Sequence, residues 1–109
     1  ARRLEQHLEK LQDVVTLDLI LAETLQGFKR DSEFNETRSL LSRMDSIELS
    51  RDSHIASADL YRFLRKKGVT VRGIIDCLIA QACLESEAVL FTLDRDFSAI
   101  ARHTNLRLL

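Results

Sequence analysis

Three features of these 109 residues predict an α/β fold, a short parallel sheet covered on both faces by helices in three α/β/α layers. Strand-like and helix-like segments alternate along the whole chain, the order expected of parallel sheets with helical crossovers. The apolar run from Val89 to Phe91 reads as a buried strand, with Asp94 and Asp96 just past its carboxyl end, where open α/β sheets keep their ligand sites. Proline is absent and glycine occurs 3 times, so no linker, repeat or low-complexity segment interrupts the pattern. With 45% apolar residues, this length suits one domain with one core spanning residues 1–109.

The elements follow in order. Leu4, Leu8 and Leu11 recur in a charged stretch, predicting an amphipathic helix that ends near Gln12. Val14-Val15-Thr16 reads as a very short strand. Thr16 is placed to cap a helix running to Gly27, with Asp18 in its first turn and the glycine at its end. Glu23 lies inside that helix among Leu19, Ile20, Leu21, Ala22 and Leu25, which makes it conspicuous, although an exposed position would explain it as well. A third helix covers Ser32 to Arg43, with Phe34, Leu40, Leu41 and Met44 as its apolar contacts. Ile47 and Leu49 mark the second strand. Ser50 is placed to cap a long helix from Asp52 to Lys67, whose buried stripe is Ile55, Ala56, Leu60, Phe63 and Leu64 and which Gly68 closes. Arg62, Arg65, Lys66 and Lys67 crowd its last turns, either compensating the helix dipole on a solvated face or facing RNA or a partner. After Val69-Thr70-Val71 comes a helix to Ser86 that carries Asp76 in its first turn, near the apolar face of Ile75, Leu78, Ile79, Ala82 and Cys83. The strand Val89 to Thr92, a helix from Phe97 to His103 and a strand Leu106 to Leu108 complete the chain.

Composition narrows the function classes. There are 16 Lys and Arg against 17 Asp and Glu, a formal charge of −1, so bulk electrostatics does not advertise nucleic-acid binding. A nuclease needs only a local basic rim around an acidic centre. Cys77 and Cys83 are six residues apart on one helix, a rise of about 9 Å, beyond the roughly 7 Å reach of a disulfide. Both read as reduced, semi-buried residues of a cytoplasmic protein. No CxxC pair is present for zinc, and His7, His54 and His103 are scattered without an HxxxH pattern. No apolar run is long enough to span a membrane, and no signal peptide is visible.

Glu23, Asp76, Asp94 and Asp96 are the candidates for a joint site. Clustered carboxylates repel one another, and hard oxygen ligands favour Mg²⁺ or Mn²⁺ as the ion that holds them together. Mg²⁺ keeps several waters and is shared with substrate phosphates, so such a site points to metal-assisted phosphate chemistry. Thr92 is placed to donate a hydrogen bond that orients a carboxylate or a bound water. Each acid also has a plain structural reading: Asp76 as a helix-start acid, Asp94 as a turn or N-cap residue, Asp96 as a cap of the last helix. Arg72 and Arg95 flank the acids and are either phosphate contacts or ordinary surface arginines. A flavodoxin-like small-molecule binder is disfavoured because there is no glycine-rich phosphate loop.

Three ordered segments carry a resemblance: Thr16 to Glu23, then Gly68 to Arg72 leading into Ile75-Asp76-Cys77-Leu78-Ile79-Ala80, then Thr92-Leu93-Asp94-Arg95-Asp96-Phe97. Over nearly the whole chain they resemble the PIN-domain family, and within it the VapC-type toxins of bacterial toxin–antitoxin modules. The resemblance implies a Mg²⁺- or Mn²⁺-dependent endoribonuclease, commonly a homodimer, inhibited by a VapB-type antitoxin whose C-terminal segment fills the acidic groove. It implies Glu23, Asp76 and Asp94 as the catalytic metal-binding acids, with Asp96 a further ligand or a cap. Members of the family begin with a central strand ending in an aspartate, and these residues, which open Ala1-Arg2-Arg3-Leu4-Glu5 without methionine, lack its match. The expectation is therefore an N-terminally truncated PIN-like domain with weak metal binding and little cleavage of RNA. The competing expectation is a catalytically incomplete module that only binds antitoxin or dimerises.

Overall fold

Two short parallel strand pairs, each joined by helices, organise the chain in the computed structural model, which describes residues 15–90, 92 and 94–109. The expected first helix, Val14, Phe91 and Leu93 lie outside the described residues. The chain divides into two compact units, one ending at Glu48 and one running from Leu49 to Leu109.

In the first unit, β1 (Val15–Thr16) leads into α1 (Asp18–Gln26), α2 (Asp31–Ser42) and β2 (Asp45–Ser46). β1 and β2 pair in parallel, Val15 opposite Asp45 and Thr16 opposite Ser46, and the Ile47 N–H donates to the Thr16 carbonyl at 2.7 Å. The second strand thus ends at Ser46, one residue before the expected Ile47 and three before Leu49, because the ladder runs only as far as the paired backbone of Val15 and Thr16. The N-cap of α1 is Leu17, with no side-chain cap, instead of Thr16. Thr16 is buried, and its hydroxyl points to the Leu17 carbonyl at 3.5 Å. Asp18 does occupy the first turn, where its Oδ1 accepts a hydrogen bond from Ser46 Oγ at 3.1 Å and ties the helix start to the end of β2. Leu17 and Leu25 are buried, whereas α2 buries no residue completely.

In the second unit, α3 (Arg51–Lys66) packs against α4 (Ile74–Ser86), and β3 (Val89–Leu90), α5 (Asp96–His103) and β4 (Arg107–Leu108) form a parallel β–α–β unit. Val89 stands opposite Arg107 and Leu90 opposite Leu108. Ser50 caps α3 as the sequence suggests: its hydroxyl accepts the Ser53 N–H at 3.1 Å while Ser53 Oγ accepts the Ser50 N–H at 3.2 Å. Ser53 is buried, and its hydroxyl donates to Glu85 Oε1 of α4 at 2.7 Å, so one side chain serves a helix cap and a helix–helix link. Ser57, fully buried, donates to the Ser53 carbonyl at 2.8 Å, which satisfies its hydroxyl within the core.

The buried stripe of α3 is Ser53, Ser57, Leu60 and Leu64, while Ile55 and Phe63 are 57% and 41% exposed. The expected stripe followed apolarity and so passed over the two small serines, which allow the helices to approach. The core of this unit adds Val71, Cys77, Ile79, Ala80, Ala82, Cys83, Leu90, Phe97, Ile100 and Leu106. Burial of side chains the size of Leu64 and Ile100 contributes about 2 kcal/mol each. Both cysteines are free and buried. Burial, then the neighbouring Asp76 charge, pushes the Cys77 thiol from 9.0 up to about 11, and burial raises Cys83 as well. Among the described residues, no helix is long and apolar enough to cross a membrane.

Candidate metal centre

Three backbone devices bring the acids of the second unit together. Asp76 enters from the first turn of α4, whose N-cap Gly73 is extended and carries no capping side chain. A carboxylate is favoured there by the helix dipole. Asp94 comes from the segment after β3. Its N–H donates to Thr92 Oγ1 at 3.0 Å, and its own Oδ1 accepts the Asp96 N–H at 2.9 Å. Asp94 is thereby bonded to the start of α5, a short-range bond of the kind aspartates make in turns. Asp96 is the first residue of α5 and lies after the N-cap Arg95, so it is a first-turn acid rather than the cap of a helix starting at Phe97. Thr92 holds Asp94 through its backbone N–H, which Thr92 Oγ1 accepts.

The result is a cluster in which Asp76, Asp94 and Asp96 can each offer an oxygen within 4.8 Å of the others. All three are half-buried, Asp76 the most, with 14% of its side chain exposed. Arg72 completes the arrangement. Its guanidinium is hydrogen-bonded to Asp94 Oδ2, meets Asp96 Oδ2 through Nε at 2.8 Å, and lies 3.9 Å from Asp76 Oδ2. One cation therefore faces all three carboxylates. The sequence pointed to Arg72 only as one of two arginines flanking the acids. It carries the (i, i+4) spacing to Asp76, which is the signal that picks it out from Arg95.

Glu23 stands exposed on α1 in the first unit. The cluster of the second unit comprises Asp76, Asp94 and Asp96, three of the four acids singled out from the sequence.

The donor set fits a hard divalent ion. It is all oxygen and three times anionic, and the converging guanidinium shows that positive charge is favoured at its centre. A cavity of about 680 Å³ lies elsewhere in the unit, lined by Cys83, Leu84, Glu87, Ala88, Asn105, Leu106 and Arg107. It contains none of the clustered acids.

Comparison with known proteins agrees with this architecture. The PIN domain family model matches residues 1–103. The chain is 33% identical over 100 residues, 91% of its length and 75% of the relative's, to a VapC ribonuclease of Mycobacterium bovis. It is similar to the same extent to ribonuclease VapC11 of Mycobacterium tuberculosis, in strain H37Rv among others. With the parallel strand pairs, the flanking helices and the acids after β3 in place, the chain belongs to the PIN-domain family, an α/β/α fold.

Proposed function

We propose that this protein is a metal-dependent endoribonuclease, the toxin of a type II toxin–antitoxin module. The observation that carries the reading is the convergence of Asp76, Asp94 and Asp96 within 4.8 Å. Similarity to proteins named as VapC ribonucleases supports the RNA substrate. In this reading Asp76, Asp94 and Asp96 hold Mg²⁺ or Mn²⁺. The ion, when bound, supplies charge stabilisation for hydrolysis of a phosphodiester and lowers the pKa of an attacking water.

The chain's own residues have separable duties. The three clustered carboxylates hold the charge balance of the site. The Asp96 N–H fixes the Asp94 carboxylate, and Thr92 fixes the backbone that carries it. Arg72, 70% exposed and already among the acids, is placed to turn toward a substrate phosphate. Hydrolysis joins the water oxygen to phosphorus and breaks the phosphorus–oxygen bond to the neighbouring nucleotide, whose oxygen takes up a proton. A VapB-type antitoxin and a homodimer complete the proposal, as do cytoplasmic residence and a single PIN-like domain.

Incubation of the protein with RNA in Mg²⁺ or Mn²⁺, against an EDTA control, tests the reading. Whatever its rate, cleavage is expected to be abolished by EDTA and lowered about a hundredfold or more by Asp76→Asn, since even groups that merely support metal ligands are worth 10–100-fold. Cleavage that is indifferent to EDTA, or unchanged in Asp76→Asn, rejects the site. An absence of cleavage, combined with binding of the antitoxin, favours the module that binds without catalysis.

A further inference from the structure

A groove between α3 and the start of α4 is not accounted for by the metal centre. It has a volume of about 270 Å³ and is lined by Ala58, Tyr61, Arg62, Arg65, Gly73 and Ile74. Ala58, Tyr61, Arg62 and Arg65 fall at positions i, i+3, i+4 and i+7 of α3 and so form one stripe of that helix. The neighbouring stripe of Ser53, Ser57, Leu60 and Leu64 is the one that enters the core, which leaves this one facing outward. The Arg65 guanidinium lies over the Tyr61 ring, 5.8 Å from its centroid. Gly73 contributes no side chain, and a Cβ added there would meet nothing within 4 Å. The segment Arg72-Gly73-Ile74 joins the two sites: Arg72 holds the acids, while Gly73 and Ile74 floor the groove.

We propose that this groove is a binding track for single-stranded RNA, holding a nucleotide beside the scissile phosphate. The inference rests on the ribonuclease reading and extends it to the substrate's flank. Charge complementarity selects the occupant. Arg62 and Arg65 line the groove, and Lys66 and Lys67 follow in the same last turns of the helix, in a protein whose overall charge is −1. That local excess suits a phosphate backbone. An arginine over a tyrosine ring also offers two planar groups to a base, and single strands are recognised by stacking on aromatic rings and guanidinium planes. The platform is assembled before RNA arrives, so little side-chain freedom is lost on binding. The groove's size suits one splayed base rather than a duplex, whose recognition spreads across successive grooves.

The sequence supplies its own probe. Tyr61 is the single tyrosine of the chain and there is no tryptophan, so intrinsic fluorescence reports this groove. The experiment adds short single-stranded RNA to the protein in EDTA, where the metal chemistry is off, and follows both tyrosine emission and anisotropy of a labelled RNA. Quenching that tracks the anisotropy is expected. Tyr61→Ala weakens binding about tenfold or more, Tyr61→Phe retains it, and Arg62→Gln or Arg65→Gln each lowers the salt slope of log K by about 0.7. Arg38→Gln, the same loss of charge on exposed α2, leaves the affinity unchanged.

The groove assignment is overturned if RNA binds without quenching, or if the Arg38 variant matches the Arg62 and Arg65 variants. It is equally overturned if an acidic peptide quenches Tyr61 and RNA does not, which would make the groove a protein-docking surface. Failure of EDTA-sensitive cleavage with groove-dependent binding intact would instead remove the catalytic reading and leave the track in place.

Discussion

Arg72 reaches three carboxylates at once, so its removal tests the electrostatics of the cluster directly. Because the side chain is 70% exposed, solvent screens the pairs, and Arg72→Gln should cost no more than about 1 kcal/mol. That corresponds to a fall in Tm of about 4 °C, measured without metal. Added Mg²⁺ should then raise the Tm of the variant more than that of the unaltered protein; equal shifts would mean the cluster does not hold the ion. The buried thiols give a second outcome. A raised thiol pKa means that the folded state keeps a proton the unfolded chain releases, so this contribution is complete below about pH 9 and is lost as pH rises toward 11. For Cys77 the loss amounts to about 3 kcal/mol, and urea melts from about pH 8 upward should show it shrinking in Cys77→Ala. At this scale the sequence was legible where a charged residue interrupts an apolar pattern, as at Asp76. It was silent where side chains from distant positions meet, as Arg72 does with Asp94 and Asp96.

Single elements owe their limits to a few polar side chains. Ser50→Ala removes the α3 cap and should cost about 1 kcal/mol in denaturant melts. Ser53→Ala should cost more, since it removes the reciprocal bond and also leaves Glu85 Oε1 without its buried donor. Equal losses for the two variants would show that the α3–α4 link contributes nothing. At the C-terminal end of α4, Glu87 sits in the left-handed region with φ 54°. Glu87→Gly relieves that conformation and should stabilise the protein by up to about 1 kcal/mol, read as a rise in Tm. The long helices were readable from caps and spacing: α3 and α4 end within a residue or so of their expected limits. The face of α3 was readable in part: Leu60 and Leu64 are buried as expected, but Ser53 and Ser57 also enter the core by satisfying their hydroxyls locally while Ile55 and Phe63 stay outside. Two-residue strands such as β2 carry too little pattern for their register to be seen in advance.

Burial is uneven across the molecule. α2 buries no residue fully and α1 only Leu25, whereas α4 buries Cys77, Ile79, Ala80, Ala82 and Cys83. Native-state hydrogen exchange should therefore find the amides of α2 opening first and those of α4 last. Comparable protection in the two helices would contradict the burial pattern. The alternation of strands and helices was enough to predict parallel pairing and acids beyond a strand end, since both follow from chain connectivity. The convergence of Asp76 on Asp94 and Asp96 depends on how α4 packs beside the β–α–β unit, which no local pattern encodes. That convergence, with Arg72 inside it, bears on how the protein fares when metal is scarce. Carboxylates that carry their own internal counter-ion do not push the fold apart when the metal is withdrawn. On the proposed metal-dependent reading, starvation for divalent ions silences such a protein without unfolding it, leaving a dormant population that metal alone switches back on.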